Sequence, residues 1–292
     1  MLWAGLVFFA GWVLRCLSSY HPANINLYIC QTVFILAGPP IYSATAYNIL
    51  GRLMRYLPMH APLHPGRVVI VFVYLGAAVE SLTGAGGSMY ATSTAYNSSK
   101  ALTGGKLISI SLVLQGVVEI IFVSLVALIH RRCVRHRMLT PNIRAVCIML
   151  YGTSTLVLFR CIFRAIESFA VYTTTECNTD LCRFVVRNEW YLYAFEGAPM
   201  VLYTFWINIV HPGRFLPRSH DRYLHFDAVT EHVGPGWIDK RSRWETFADP
   251  LDIGGTLRGQ PAHEAFWLKA DDWPIARDGS FALGTATNVK GK

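Results

Sequence analysis

The stretch Ala145–Val171, AVCIMLYGTSTLVLFRCIFRAIESFAV, is long and apolar enough to cross a bilayer, yet it carries Arg160, Arg164 and Glu167. Spacings of four and three residues put all three charges on one helical face. A charged side chain deep in hydrocarbon costs at least ~2.5–3.5 kcal/mol. A helix with three such groups must turn that face toward other helices or a polar cavity. The fold expected is therefore all-α, a polytopic membrane bundle with a polar interior.

Composition agrees. Of 292 residues, 53% are hydrophobic and 15% charged, a membrane balance rather than a soluble one. Six apolar stretches, about 2–17, 27–50, 68–90, 107–130, 145–171 and 190–210, predict six transmembrane helices. The first is short, but no basic residue precedes it and no small-x-small cleavage site follows, so it reads as a membrane helix and not a signal peptide.

The formal charge of +8 is uneven. Residues 1–213 hold 15 Lys/Arg against 7 Asp/Glu, and residues 214–292 hold 11 of each. The basic excess belongs to the membrane part, where topology explains it, and no nucleic-acid face is indicated. Arg52, Arg55 and Arg67 lie in one loop, Arg131, Arg132, Arg135, Arg137 and Arg144 in another, and Arg214 and Arg218 follow the last helix. These three segments are expected on the cytosolic side, with the N-terminus and the tail. The opposite loops contain the sequon Asn97-Ser98-Ser99 and the pair Cys177 and Cys182, either a short disulfide or two free thiols. Residues 214–292 show no sustained period and are expected to form a cytosolic, largely disordered tail. Trp237, Trp244, Trp267 and Trp273 argue for local order or membrane contact within it.

More acids accompany the charged face. Glu189 and Glu196 are seven residues apart on the last helix, hence on one face. At 1.5 Å per residue, Arg160 lies roughly 24 Å beyond Arg144, and Glu196 about 10 Å below Glu189. Their depths overlap, so a buried pair, Arg164–Glu196 or Arg160–Glu196, is expected. Glu80 sits within the third apolar stretch, and Gln115 and Glu119 within the fourth. Such groups need partners. They serve either as ion pairs that fix helix register or as a substrate or proton pathway. Gly84-Ala85-Gly86-Gly87 permits close helix approach, and Pro39-Pro40 breaks or kinks the second helix.

Metal spacings, a catalytic nucleophile motif and an ATP-binding loop are absent from the sequence, so no cofactor is expected, an enzyme is disfavoured, and ATP-driven pumping by this chain alone is excluded.

The run YICQTVFILAGPPIYSATAYNILGRLMRYL, the Gly86-Gly87 pair, RCIFRAIESF, NEWYLYAFE and the closing HPGRF occur in that order. Together they resemble the fungal lipid-translocating exporter family, also called resistance-to-aminocholesterol-like, over about residues 8–215. The resemblance implies seven helices, the first expected to be missing here. It also implies export or translocation of sphingoid long-chain bases and resistance to toxic lipids and sterols, with membrane lipids as partners and the plasma membrane as location. Arg160, Arg164, Glu167, Glu189 and Trp190 match the family pattern, and Glu196 replaces an Asp with charge kept. Phe8 stands where an acid is usual, Gly76 and Thr83 where Asp and Gln are usual, and Asn188 where His is common. The alternative function is a receptor-like membrane protein that senses a lipid or small molecule.

Overall fold

The computed structural model describes residues 2–21, 24–93, 98–172, 180–188, 190–217, 219–237, 245, 249, 254, 257–258 and 266–276. Five helices dominate: α1 Leu2–Tyr20, α2 Ile25–Tyr56, α3 Pro65–Thr92, α4 Ser98–Arg135 and α5 Pro141–Val171. All five are long and apolar enough to cross a membrane. At 38 residues, α4 extends roughly 57 Å, well beyond a hydrocarbon core, so its basic end stands outside. Pro65 and Pro141 open α3 and α5 at the first helical position, where a missing N–H costs nothing. Thr140 caps α5, its Oγ1 accepting from Ile143 N at 3.4 Å. The Pro39-Pro40 pair does not end α2, which remains helical through it.

The sixth expected span is not one regular helix. After α6 (Asp180–Arg187) comes a single helical turn, α7 (Trp190–Leu192), then a π-helical turn at Tyr193–Gly197, then α8 (Ala198–Ile209). Among the described residues five regular helices are long and apolar enough to cross a membrane, and the sixth expected stretch, 190–209, stays helical through the π turn, with αR backbone at Leu192 and Ala198. The first stretch, expected to be short, forms a full span.

The helices are amphipathic in the membrane sense. Along the middle of α5 the arginines are inside, with Arg160 1% and Arg164 6% exposed, while Ile162 is 61% exposed. Apolar side chains such as Phe9, Ile110, Ile120 and Phe205 likewise point outward. An aqueous surface would reverse this arrangement, and lipid favours it.

Two compact units make up the chain. The first comprises Met1–Thr45, Val73–Ile121 and Thr153–Phe205; the second comprises Ala46–Phe72, Phe122–Gly152 and Trp206–Lys292. In the first, α3 and α4 approach backbone to backbone. A Cβ on Gly86 would lie 2.8 Å from Gly104 O, and one on Gly104 would lie 2.7 Å from Gly86 O. Only glycine fits there. Thr83 and Ser111 join the same two helices through a hydroxyl pair at 2.7 Å.

The second unit holds the described part of the tail. Strands β1 (Arg222–Leu224) and β2 (Glu231–Val233) pair antiparallel, with Tyr223 opposite His232. Asp227 closes the turn, its Oδ1 accepting from Val229 N and Thr230 N. Against the opposing effect of burial, the Thr230 hydroxyl, which donates to Asp227 Oδ2, and then those two backbone bonds hold the Asp227 carboxyl below its ordinary range. The fold is thus not purely helical, and residues 219–237 and 266–276 carry more local order than an aperiodic composition predicts. Of the four tail tryptophans, Trp237 and Trp267 pack together with ring centroids 5.3 Å apart. Trp244 lies outside the described residues. The hairpin is fastened to the end of α2. Arg52 Nη2 donates to Pro217 O at 2.8 Å, Arg55 Nη1 stands 3.1 Å from His220 Nδ1, and Tyr56 Oη donates to Glu231 Oε1 at 2.7 Å.

Candidate functional site

The first unit contains the charged constellation. The face of α5 defined by the four- and three-residue spacings turns inward, leaving Arg160 1% and Arg164 6% exposed. Glu196 meets it from the π-helical turn and is 0% exposed. Arg160 Nε and Nη2 both donate to Glu196 Oε1, at 2.8 and 2.6 Å. Arg164 Nη1 donates to Glu167 Oε2 at 2.5 Å, and its Nε stands 3.6 Å from Glu196 Oε2. Of the two expected pairings, the Arg160–Glu196 bond is direct, while Arg164 approaches the same carboxylate without hydrogen-bonding it.

The cluster is not saturated. Among the described residues, Arg160 Nη1, Arg164 Nε and Glu196 Oε2 are buried without a hydrogen-bond partner. Each such group costs about 1–3 kcal/mol if left dry. A site that tolerates three is suited to water or a polar ligand.

Space for one lies alongside. A cavity of about 290 Å³ is lined by Arg15, Gln31, Arg164, Glu167, Tyr172 and Tyr191 among others. A smaller one, about 30 Å³, shares Tyr28, Tyr90, Arg164 and Tyr172 with it and adds Glu80, Gly84 and Gly87. A Cβ built on Gly84 or Gly87 meets nothing within 4 Å. The glycine run thus divides: Gly86 permits contact, while Gly84 and Gly87 border open space.

An aromatic layer stacks beside the π turn. Phe163 lies on Phe195 at 4.2 Å and Trp190 on Tyr191 at 3.9 Å. Trp12 stacks on Tyr193 at 5.2 Å. Phe8, standing where an acid was expected from the resemblance, packs edge-on against Trp12 and Tyr42 and is 5% exposed.

Structure and sequence reading compare as follows. Arg160, Arg164, Glu167 and Glu196 come together. Glu80 shares a cavity with Arg164. Glu119 is buried apart from both cavities and faces Ser154 and Cys161. Glu189, Cys177 and Asn97 lie outside the described residues. Cys182 is disulfide-bonded. Sequence reasoning missed Arg15, Gln31, Tyr28 and Tyr172. Arg15 had a signal: it is the one charged residue within Leu2–Tyr20.

Comparison with known proteins identifies this architecture. Residues 1–219 match the model of the family described as RTA1 like protein. The chain is 37% identical over 244 residues to the lipid-translocating exporter-like protein RTA1 of Leptosphaeria maculans, covering 79% of this chain but only 46% of that protein. It is 27% identical to the similarly named protein of Ajellomyces capsulatus, over 79% of this chain and 73% of that one. It is 29% identical to protein RTA1 of Saccharomyces cerevisiae, over 78% of this chain and 70% of that one. No solved structure matches. With several membrane-crossing helices and a family match across three-quarters of its length, the chain belongs to the RTA1-like family and is a multi-pass membrane protein.

Proposed function

We propose that the protein translocates amphipathic lipids, sphingoid long-chain bases or sterol-like toxic compounds, and so contributes to lipid or drug resistance. The observation that carries this reading is the 290 Å³ cavity in the first unit, with Arg164 and Glu167 on its wall and aromatic residues around it. A headgroup needs a polar pocket at membrane depth, and its tail needs an apolar exit. The carboxylates suit an amine, and the outward apolar faces of the helices suit a chain. The names of the relatives in Leptosphaeria and Ajellomyces support the same class. The loop charges favour a cytosolic tail and, with the resemblance to resistance proteins, the plasma membrane. The chemistry is relocation, not bond making, so an enzymatic role is not proposed.

The test is reconstitution of purified protein into liposomes with a fluorescent sphingoid base in one leaflet. Appearance of the label in the other leaflet, faster than in protein-free liposomes, is the expected result. Label that binds the protein but never changes leaflet overturns the reading and favours the receptor-like alternative.

A further inference from the structure

The interior acids of the first unit differ in what surrounds them. Glu196 holds Arg160, and Glu167 holds Arg164, so both α5 guanidinium groups are engaged. Glu80 is the exception, on the wall of the smaller cavity, which shares Arg164 and Tyr172 with the larger one. It is half-buried, and among the described residues it forms no ion pair. Arg160 is the charged group that acts on it, and Tyr28 of α2, Tyr90 of its own helix and Arg164 and Tyr172 at the end of α5 line the same cavity. From α4 the facing residue is the apolar Ile108. One and two turns beyond Glu80, Gly84 and Gly87 leave the space beside it open.

Resting on the translocation reading above, we propose that Glu80 is a proton–cation exchange site that couples movement of a cationic lipid to movement of one proton the other way. An ionised carboxylate without a bound cation is costly at membrane depth, whereas a protonated one is not. Whenever no cation is bound, Glu80 therefore rests as the acid. An ammonium headgroup that docks against it brings the missing positive charge. The carboxyl O–H then breaks and the proton passes to water on the side from which the lipid came. When the headgroup leaves on the other side, the carboxylate takes a proton from water there. Both occupied states are neutral, and proton and headgroup exclude each other, which is the condition for coupled exchange. No oxidant, nucleotide or second protein is required.

The experiment uses the full chain in liposomes loaded with a pH-sensitive dye. The probe is a long-chain trimethylammonium with a fluorescent tail, which carries no exchangeable proton of its own. Proton movement opposite to the probe, in one-to-one ratio, is expected. A pH difference of one unit should sustain about tenfold accumulation of the probe. Glu80→Gln should abolish the pH response, and Glu80→Asp should retain it, which separates loss of coupling from loss of fold. If the wild-type protein moves the probe equally with and without the gradient, or Glu80→Gln still couples, the exchange site is overturned while translocation stands. If the wild-type protein moves neither probe nor sphingoid base, the translocation reading falls and takes the exchange site with it.

Discussion

Arginines are used in two ways in this molecule, one in each compact unit. In the first unit, Arg160 and Arg164 face carboxylates and still leave Arg160 Nη1 and Arg164 Nε without hydrogen-bond partners. In the second, Arg52 and Arg55 at the end of α2 face neutral acceptors, the carbonyls of Leu216 and Pro217 and the ring of His220. Neutral acceptors fasten a segment without building a field. Buried charge facing charge, with groups left over beside a cavity, creates a place where another charge can matter. The difference separates a fastening from a candidate site, although both are rich in arginine.

The largest expected effect tests the first kind of contact. Glu196→Gln removes the negative charge from two buried guanidinium groups and should cost about 3–5 kcal/mol, since an uncompensated charge remains. Thermal unfolding of detergent-solubilised protein should show the loss, and Arg160→Gln should show a similar one. The double change should recover much of the stability. If it also restores tolerance to added sphingoid base in cells, the pair is a staple; if folding returns without tolerance, the pair belongs to the translocation route. Two silent single changes would dissolve the contrast between the units.

A smaller effect probes the fastening. Tyr56→Phe removes the buried hydrogen bond to Glu231 and should cost about 1–3 kcal/mol. Hydrogen exchange should quicken around residues 222–233, while lipid movement in liposomes should change little. An equal loss of translocation would show that the second unit is more than a fastening.

The mildest effect is graded with pH. His60, 3.1 Å from Met138 Sδ and stacked on His136, is pushed down to about 4 from an ordinary 6.5, first by burial and then by His136 and Arg132. A base whose folded value is depressed binds fewer protons than its unfolded form between these two values. Its contribution is therefore complete above about pH 6.5 and lost as pH falls toward about 4. Melting temperature should decline across that window, and His60→Gln should flatten the decline. A slope unchanged by the substitution would assign it to other groups.

What could be read from the sequence follows physical range. The spans were legible because apolar runs of bilayer length have few other fates. The Arg160–Glu196 pairing was legible because depth along two helices can be counted residue by residue. The π turn was not, since its bonding pattern depends on what packs around it. The hairpin was hidden by strands of three residues each, too short for alternation to register, although Asp227 followed by Thr230 is a turn signal. Arg15 is legible by the same reasoning that singles out Arg160, as a lone charge in an apolar helix. Tyr28 and Tyr172 carried no signal, because aromatic residues in apolar stretches usually face lipid or core.

The π-helical turn at Tyr193–Gly197 has a consequence for how this site can change over generations. Such a turn accommodates one residue more than an α-helical turn. Each residue corresponds to about 100° of rotation about a regular helix axis. Deleting one residue from this turn would restore α-helical phase and swing Trp190–Leu192 round relative to Ala198–Ile209. It would also shift Glu196 away from Arg160. The site is thus encoded in a residue count as well as in residue identities: substitutions can adjust its chemistry by degrees, whereas loss of a single codon here would dismantle it at once.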